Sequence, residues 1–566
     1  MVPSDARRDD RAATSWPGQS VRDRVPSRPL DGAGDPGGSV PGVGRRRFWG
    51  WGYEDAGLSR AEDVALAERL RPMIKLSSRP IEPPTPSEIV LAPSRLEPPA
   101  ALAPWCARDD VARAGHTYGK SFRDVVRALD RRWDRPPDVV AVPPNEAGVV
   151  AVLDWAAAID AVVIPYGGGS SVVGGVEAPA GTERPVISLD LGRLDRVLEV
   201  DRVSRAALIE GGVYGPSLEE QLRPHGLTLR HYPQSFEVSS LGGWIATRSA
   251  GHFATLHTHI DEFVESIRAI TPAGLWESRR LPASGAGPAP DRLLIGSEGT
   301  LGVITAAWLR LQARPRFRAS AVATFATFDD GARAVRAIAQ SGLWPANCRL
   351  LDAGEALVSG AGSGDDHLVL IGFESADHPV DGPLARAIEL ARDYGGLVAP
   401  RERGPAGPVA SWRRAFVRAP YVRDSLVRYG LLCETFETAV TWDRFDDVVS
   451  GLRATTEAAL RDVGAWPGLI TCRLTHAYPD GAAPYFSVLA PGRAGDQLAQ
   501  WDAVNEALSL AIAALGATTT HHHAVGRDHR VGYDLERPPL FADQLRAAKR
   551  VVDPTAMLNP GVLIDP

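Results

Sequence analysis

The spacing of apolar and polar residues changes along the chain and divides it into regions. Residues 1 to about 45 carry few large apolar side chains among Arg, Asp, Pro, Gly and Ser, which is typical of a disordered leader. The segment 46–99 begins with an aromatic cluster from Phe48 to Tyr53, which is too apolar to stay in water. We expect it to pack on the outside of a later domain, followed by a short helix over 61–70 capped by Ser59 and a Pro-rich linker over 78–99.

From about residue 133, short apolar runs alternate with amphipathic segments. Strand, helix and strand in this order indicate an α+β or α/β subdomain. Asn145 is the expected N-cap of the first helix, because its side chain can accept a backbone N–H there. The pattern predicts strands over 138–142, 161–164, 186–189, 197–200, 206–209 and 264–271, and helices over 145–159 and 217–222.

A second region begins after Pro315. Its strand and helix signals predict another α+β domain, with sheet and helix layers stacked on the first. Asp329 is the expected N-cap of a helix over 330–340. Further strands are predicted over 319–328, 348–352, 367–373, 469–475 and 485–489, and further helices over 383–394, 445–462, 496–515 and 540–552.

Composition narrows the functional classes. The chain has 566 residues, of which 44% are hydrophobic, and a net charge of −7, which argues against nucleic acid as the main partner. The four cysteines are scattered without metal-binding spacing, so we expect neither a disulfide framework nor a metal site. The sequence has no apolar run of transmembrane length and no signal-peptide core, so we expect a cytoplasmic protein.

One stretch organises the chemistry of the sequence, and it runs from Pro165 to Ser171 directly after the predicted strand 161–164. Three consecutive glycines let the backbone adopt positive φ and approach a ligand closely, and the N–H groups of such a loop can converge on phosphate oxygens. We interpret it as a cradle for the pyrophosphate of a dinucleotide. An ordinary Gly-rich turn is the alternative, and the stretch matches neither the Rossmann nor the Walker A motif.

Other candidate residues lie in the second half of the sequence. Three adjacent histidines, His521 to His523, suit proton handling or anion contact near neutral pH, although a surface metal-binding tract is an alternative. Tyr485 is either a core aromatic or a catalyst, and the sequence does not choose between them. Arg423 is either a surface ion-pair partner or a fork for phosphate or carboxylate, whereas Arg349 lies between apolar neighbours and is expected to be buried and paired.

Together these stretches resemble the alkylglycerone-phosphate synthases, or alkyl-dihydroxyacetone-phosphate synthases, of the vanillyl-alcohol-oxidase-like FAD superfamily. The superfamily marks are 165–171 and 296–305, and the subfamily marks are 242–248, 434–438 with 442–444, 471–473 and 521–523. The resemblance implies an α+β fold with a two-subdomain PCMH-type FAD-binding domain over 100–315. It also implies an α/β cap domain with an antiparallel sheet over 316–520, and a C-terminal segment, 521–566, that completes the active site.

The same resemblance implies roles for particular residues. Tyr485, His521, His522 and His523 match catalytic positions, and Arg423 and Arg349 match positions that bind substrate or are needed for activity. FAD is expected to be bound non-covalently. The residues that match its site are Pro165, Tyr166, Gly167, Gly168, Gly169, Ser170, Ser171, Gln234, Ser235, Phe236, Glu237, Val238, Ser239, Ser240, Thr247, Arg248, Ser249, Ala250, Glu298, Gly299, Thr300, Leu301, Gly302, Val303 and Ile304.

The sequence departs from the family pattern at two places near the expected flavin, and these departures bear on which substrate is used. Gln234 stands where the family typically has Asp, so one flavin contact loses its charge. The segment 256–261 replaces one that usually carries Tyr-Gly-Asn, and it adds His257 and His259 near the expected flavin. The Ala-, Arg-, Asp- and Val-rich composition is typical of a bacterium with GC-rich DNA.

The resemblance implies a transferase that exchanges the acyl group of acyl-dihydroxyacetone phosphate for a long-chain alcohol and so forms an ether-lipid precursor. An FAD-linked oxidoreductase acting on a 2-hydroxy acid or alcohol is the alternative, and a flavin-binding protein without turnover is a third. We therefore expect a small lipid or hydroxy-acid substrate and no nucleic-acid partner. A homodimer and peripheral contact with a membrane are further expectations.

Overall fold

The computed structural model describes residues 45–253, 255, 257–398 and 408–565. The predicted disordered leader lies outside the described residues except for Arg45. The first regular element is helix α1 (Arg60–Leu70), where Ser59 and Glu62 form the reciprocal side-chain-to-backbone bonds of a capping box. The predicted N-cap is thus confirmed.

The first sheet has four strands in the order β1-β2-β4-β3, and β2 and β3 both run parallel to β4. It contains the predicted strand-helix-strand unit, with Asn145 capping α4. It is not a Rossmann sheet, because the glycine loop after β3 leads into turns over 167–181 rather than into a helix. The elements are β1 (Cys106–Ala107), α2 (Asp110–Gly115), α3 (Phe122–Leu129), β2 (Val139–Ala141), α4 (Glu146–Ala158), β3 (Val162–Tyr166) and β4 (Val186–Asp190).

The second sheet is a five-stranded antiparallel sheet in the order β5-β6-β10-β8-β9, and β7 and β11 form a separate pair. Its inner face packs on α5 and α6 through buried residues such as Leu218 and Trp244. The elements are β5 (Val197–Asp201), β6 (Ala206–Glu210), α5 (Gly215–Leu222), β7 (Leu227–Thr228), α6 (Leu241–Ala246), β8 (Val264–Thr271), β9 (Gly274–Glu277), α7 (Asp291–Leu294), β10 (Val303–Arg310) and β11 (Gln312–Ala313).

The third sheet forms the cap and is antiparallel, with strand order β15-β12-β14-β13-β18-β19-β16, and β17 pairs with β19. The expected antiparallel cap sheet is therefore confirmed. Its elements are β12 (Phe317–Phe325), α8 (Phe328–Gln340), β13 (Asn347–Leu351), α9 (Ala353–Ser359), β14 (His367–Ser375), α10 (Asp381–Asp393), β15 (Leu397–Val398), α11 (Pro408–Arg428), β16 (Leu431–Glu437), β17 (Val440–Thr441), α12 (Phe445–Asp462), β18 (Leu469–Ala477), β19 (Gly481–Pro491) and α13 (Gln497–Ala514).

The chain returns from the cap to the first two sheets through α14 (Arg530–Glu536) and α15 (Pro539–Val552). Leu558 forms a parallel bridge with Val163 of β3. The Asn559 side chain donates to the carbonyls of Gly175 at 3.0 Å and Glu298 at 2.8 Å. The last residues of the chain thus fasten the loops that follow β3 and precede β10. No helix within the described ranges combines the length and apolar character needed to cross a bilayer.

Two local predictions were wrong. The N-cap of α8 is Thr327, whose hydroxyl accepts the N–H of Asp330 at 3.1 Å, and Asp329 lies inside the first turn instead. The aromatic segment does not lie on the outside. Trp51 and Tyr53 are each only 5% exposed and pack with Val238 and Tyr421, because a segment this apolar gains more from burial between layers than from covering one surface.

Candidate active site

A cavity lies between the first two sheets and the cap. Most of the predicted cofactor residues line it, and so do Arg349, His522 and His523. The predicted cofactor residues in its wall are Pro165, Tyr166, Gly167, Gly168, Gly169, Ser170, Ser171, Gln234, Ser235, Ser239, Ser240, Thr247, Ser249, Ala250, Glu298, Gly299, Gly302 and Ile304. Residues that are far apart in the sequence therefore converge on one site.

The glycine loop packs too tightly to carry side chains. A Cβ on Gly168 would lie 1.9 Å from the carbonyl oxygen of Val238, and Gly169 has φ of +61°. Gly168 and Gly169 are buried, yet their backbone N–H groups, and that of Ser170, find no acceptor among the described residues. Because buried N–H groups are nearly always paired, these donors fit the oxygens of a bound diphosphate.

Hydroxyl groups hold the segment opposite the glycine loop. Ser239 donates to the carbonyl of Ser235 at 2.7 Å and accepts the indole N–H of Trp244 at 2.6 Å. The amide of Gln234 donates to the carbonyl of Phe416 in α11 at 2.7 Å. This last bond links the loop to the cap, so Gln234 contacts protein at the position where the family typically has Asp.

Seven predicted cofactor residues lie behind the cavity wall, and their assignment stays a prediction. Phe236 stacks near Trp244 with ring centroids 6.2 Å apart, and Arg248 faces Asp261 at 3.4 Å. The seven are Phe236, Glu237, Val238, Arg248, Thr300, Leu301 and Val303.

Glu298 connects the cavity to the C-terminal segment. Its carboxyl oxygens accept the backbone N–H groups of Val525 at 2.9 Å and Gly526 at 2.8 Å. Burial raises the pKa of Glu298 to about 7, and the two N–H bonds counteract only part of this rise. The group can therefore hold a proton near neutral pH.

The three adjacent histidines reach one site because they do not form a strand. Their backbone N–H groups all point to the buried carboxylate of Glu437, at 2.8 Å from His521 and 3.1 Å from both His522 and His523. Burial raises the pKa of Glu437, but the neighbouring imidazoles outweigh it and hold the pKa well below its usual value. The bonds to the Glu437 carboxylate hold this backbone in a turn instead of a strand, and the rings of His522 and His523 therefore both reach the cavity.

Tyr485 lies beside this cluster on β19. Its ring is 5.9 Å from the His522 ring and nearly parallel to it, and the guanidinium of Arg473 lies 3.9 Å above the Tyr485 ring centroid. Burial raises the pKa of Tyr485 although Arg473 lowers it, so the phenol keeps its proton at neutral pH. Burial lowers the pKa of His523 to about 3, so this imidazole is neutral at neutral pH and one of its nitrogens keeps a lone pair.

The two predicted substrate arginines differ in their surroundings. Arg349 lines the cavity and is 1% exposed, and its Nε and Nη1 atoms have no hydrogen-bond partner in the described part of the chain. Arg423 is bound to Asp424 at 2.6 Å and to the Lys120 carbonyl at 2.6 Å. It lines a smaller neighbouring cavity that shares His523 with the main one. Arg349 is buried as expected, and its Nη2 donates to the His252 carbonyl at 2.6 Å, but no carboxylate of the described residues forms an ion pair with it.

Several residues of the site were not singled out from the sequence. Trp51, Phe416, Arg473 and His476 line the cavity, and Glu437 orients the histidines from behind. The only sequence signal for Glu437 was its place in the segment 434–438 that resembles the family, which gave it no role.

Comparison with known proteins first shows which class of protein this chain belongs to. A family model described as "FAD binding domain" matches residues 137–278, and one described as "FAD linked oxidases, C-terminal domain" matches residues 314–563. The glycine loop, with its unbonded backbone N–H donors, fits such a cofactor. Together with this loop, these matches make the protein a flavoprotein of the FAD-linked oxidase class, with FAD as its cofactor.

The relatives then narrow the family. The alkyldihydroxyacetonephosphate synthase of Dictyostelium discoideum is 30% identical over 482 residues, which cover 81% of this chain and 78% of that protein. A solved alkyldihydroxyacetonephosphate synthase structure superimposes with a TM-score of 0.76 at 26% identity, covering 91% of this chain and 97% of the other. The chain belongs to the alkyldihydroxyacetonephosphate synthase family. The mitochondrial cytochrome-linked D-lactate dehydrogenase of Arabidopsis thaliana is more distant, at 25% identity over 76% of this chain and 74% of that enzyme.

Proposed function

We propose that this protein is an FAD-dependent transferase that exchanges the acyl group of acyl-dihydroxyacetone phosphate for a long-chain alcohol. The bond between C1 and the acyl oxygen breaks and releases a fatty acid, and a bond from the alcohol oxygen to C1 forms the ether. Membership of the synthase family supports this reaction. The observation that carries it is one cavity lined by the glycine loop, a buried arginine with two unbonded nitrogens, and the imidazoles of His522 and His523.

The glycine loop and the segments around Ser239 and Glu298 would hold FAD non-covalently. When bound, FAD supplies an electron-poor ring that can take up electron density from a substrate carbon. The loop 165–171 would hold the diphosphate, and His522 and His523, in the wall of the same cavity, would act on the substrate. Burial of the cavity wall also keeps water from competing with the alcohol.

Arg349 is the proposed anchor for the substrate phosphate. Its Nη2 donates to the His252 carbonyl at 2.6 Å, whereas Nε and Nη1 have no hydrogen-bond partner within the described residues and can donate to an anion. Burial and the nearby Arg473 lower the pKa of Arg349 well below its usual value, so a phosphate placed against the guanidinium would stabilise its charge. Arg423, in the adjoining cavity, stays a prediction for a second substrate contact.

Proton transfer at C1 falls to the residues beside Tyr485. The neutral imidazole of His523 offers a lone pair toward the cavity, whereas the phenol of Tyr485 holds its proton. We therefore assign the acceptor role to the imidazoles of His522 and His523. Tyr485 helps by holding its ring nearly parallel to that of His522.

A direct assay separates this function from a hydroxy-acid oxidoreductase. The holoenzyme is incubated without oxygen or another electron acceptor, with palmitoyl-dihydroxyacetone phosphate and isotope-labelled hexadecanol. The proposal predicts labelled alkyl-dihydroxyacetone phosphate and free palmitate in equal amounts. Absence of the ether product, together with oxidation of D-lactate when an acceptor is added, would assign the oxidoreductase function instead.

Four further expectations are not settled by the fold or the comparisons. The cytoplasmic location, the homodimer, the peripheral membrane contact and the domain bounds proposed from the sequence each stay predictions. Gel filtration tests the dimer, and flotation with phosphatidylcholine vesicles tests the membrane contact.

A further inference from the structure

We propose that His522, His521 and His259 form a proton relay that connects the cavity to the protein surface. The inference rests on the proposed function, because it concerns the proton taken from C1 of the substrate. His259 belongs to the segment in which this chain departs from the family pattern, and neither the family resemblance nor the comparisons give it a role.

The relay is continuous in space. His522 Nδ1 lies 3.1 Å from His521 Nδ1, and His521 Nε2 lies 3.1 Å from His259 Nε2. His259 Nδ1 in turn lies 3.0 Å from the carbonyl oxygen of Arg248, in a bond exposed to solvent. One end of the chain of imidazoles therefore lines the cavity and the other reaches the surface.

A single carbonyl fixes the direction of every bond. The Arg248 carbonyl can only accept, so His259 Nδ1 carries a hydrogen and its Nε2 accepts. His521 Nε2 then donates, its Nδ1 accepts, and His522 Nδ1 donates. This leaves the Nε2 lone pair of His522 free to accept a proton. Each of the three rings is thus a donor at one nitrogen and an acceptor at the other, as a relay requires.

The transfer balances without any other reagent. A proton from the substrate binds His522 Nε2, the Nδ1 hydrogen of His522 passes to His521, and the Nε2 hydrogen of His521 passes to His259. The Nδ1 hydrogen of His259 leaves to water, so three N–H bonds form and three break, with no change in oxidation state. Glu437, with Oε2 at 3.4 Å from His522 Nδ1, stabilises the positive charge while it resides at the cavity end.

The groups around the relay suit this direction. Burial lowers the pKa of His259 and lowers that of His521 well below the usual range, so both rings rest neutral and each keeps one nitrogen with a hydrogen and one with a lone pair. The Tyr478 hydroxyl oxygen lies 2.7 Å from His521 Nε2 and can share the same hydrogen, and it lies 3.1 Å from Thr258 Oγ1, to which it can donate. Tyr478 is therefore a side branch that does not interrupt the path to His259.

The test follows the C1 hydrogen of the substrate with holoenzyme. Acyl-dihydroxyacetone phosphate deuterated at C1 is mixed with wild type, His259→Ala and the matched control His257→Ala, whose ring packs on Phe263 with centroids 5.5 Å apart. We expect His259→Ala to lose deuterium to water about 10- to 100-fold more slowly, at the lower end of general acid–base effects. His257→Ala should match wild type, and FAD content should be unchanged in both.

Added imidazole distinguishes a relay from a structural role, because a free imidazole can fill the space left by the His259 ring. Recovery of deuterium loss in His259→Ala with imidazole supports the relay. Wild-type deuterium loss in His259→Ala, a defect that imidazole does not relieve, or a wild-type activity that depends on a chelatable metal held by these histidines would each overturn it. A wild type that forms no ether and loses no deuterium would remove the proposed function itself, and the relay with it.

Discussion

The two ends of the cavity are built in different ways. At the cofactor end the main chain makes the site: glycines bring backbone N–H groups to the surface of a loop, and a Cβ on Gly168 would strike the Val238 carbonyl. At the reacting end, side chains make the site: His522 and Arg349 line the cavity and Tyr485 lies behind its wall, and the three come from separate parts of the chain. Glu437 holds the backbone of His522, and Arg473 lies over the Tyr485 ring. Adding a side chain at the cofactor end should therefore prevent FAD binding, and removing a charge at the reacting end should lower the activity.

The largest effect is expected from Gly168→Ala. The added methyl group cannot avoid a backbone oxygen at 1.9 Å, so the loop must move away from the diphosphate position. We expect the purified variant to lack FAD and all FAD-dependent activity, as measured by visible absorption and by the exchange assay. Gly382→Ala is the control, since nothing lies within 4 Å of its Cβ. Normal FAD content in Gly168→Ala would contradict the cradle.

Glu437→Gln tests the reacting end by removing one charge. The amide retains an acceptor oxygen but turns an NH₂ group toward the backbone N–H groups of the histidines, which shifts the rings. A displacement of about 1 Å can cost about 100-fold in rate, and we expect a loss of that order with FAD retained. Glu219→Gln, another buried carboxylate that accepts a backbone N–H, should keep its activity per folded molecule. Equal activity in both variants would remove the role of Glu437.

Arg349→Lys keeps the charge but loses the planar fork. Hydrogen bonds to charged groups contribute about 1.5–3 kcal/mol, so we expect the KM for acyl-dihydroxyacetone phosphate to rise about 10- to 100-fold. The matched control is Arg230→Lys, because Arg230 also stacks on an aromatic ring, at 3.3 Å from the Phe253 centroid, but is paired with Glu374. A similar KM in wild type and Arg349→Lys would place the phosphate elsewhere.

The smallest effect concerns pH and stability. Burial raises the pKa of Glu298 to about 7, above the value of about 4.3 in an unfolded chain. The folded protein keeps a proton that the unfolded chain releases, so this group lowers the free energy of unfolding as pH rises from about 4.3 to about 7. The effect is at most about 3–4 kcal/mol. Denaturation of Glu298→Gln at several pH values should show a shallower decline than wild type, and an identical decline would contradict the assignment.

The difference between the two ends of the cavity also explains which features could be predicted from the sequence. Local signals identified the cofactor end: an apolar strand followed by three glycines, Asn145 before its helix, and the strand Val264–Thr271. The reacting end depends on contacts between distant residues. Glu437 lies 84 positions before His521, and no local pattern indicates that its carboxylate is buried beneath three N–H groups.

Two further features were missed, each for its own reason. Helix α11 carries Arg423 and contains Pro420 and several arginines, which obscure its apolar periodicity. Trp51 lines the cavity because it packs against elements from the cofactor and cap regions at once, whereas the sequence showed only that it should be buried. Positions that are set by contacts with distant parts of the chain, such as that of Trp51, were not predicted.

The central claim is that a single cavity performs alkyl exchange rather than net oxidation. It is tested most directly by mixing the FAD-loaded protein anaerobically with acyl-dihydroxyacetone phosphate and hexadecanol, or with D-lactate, while the main visible flavin band is followed. We predict ether formation over many turnovers with the flavin oxidised again at the end, and no bleaching by D-lactate. Lasting bleaching by D-lactate, without any ether from the lipid substrates, would contradict the account.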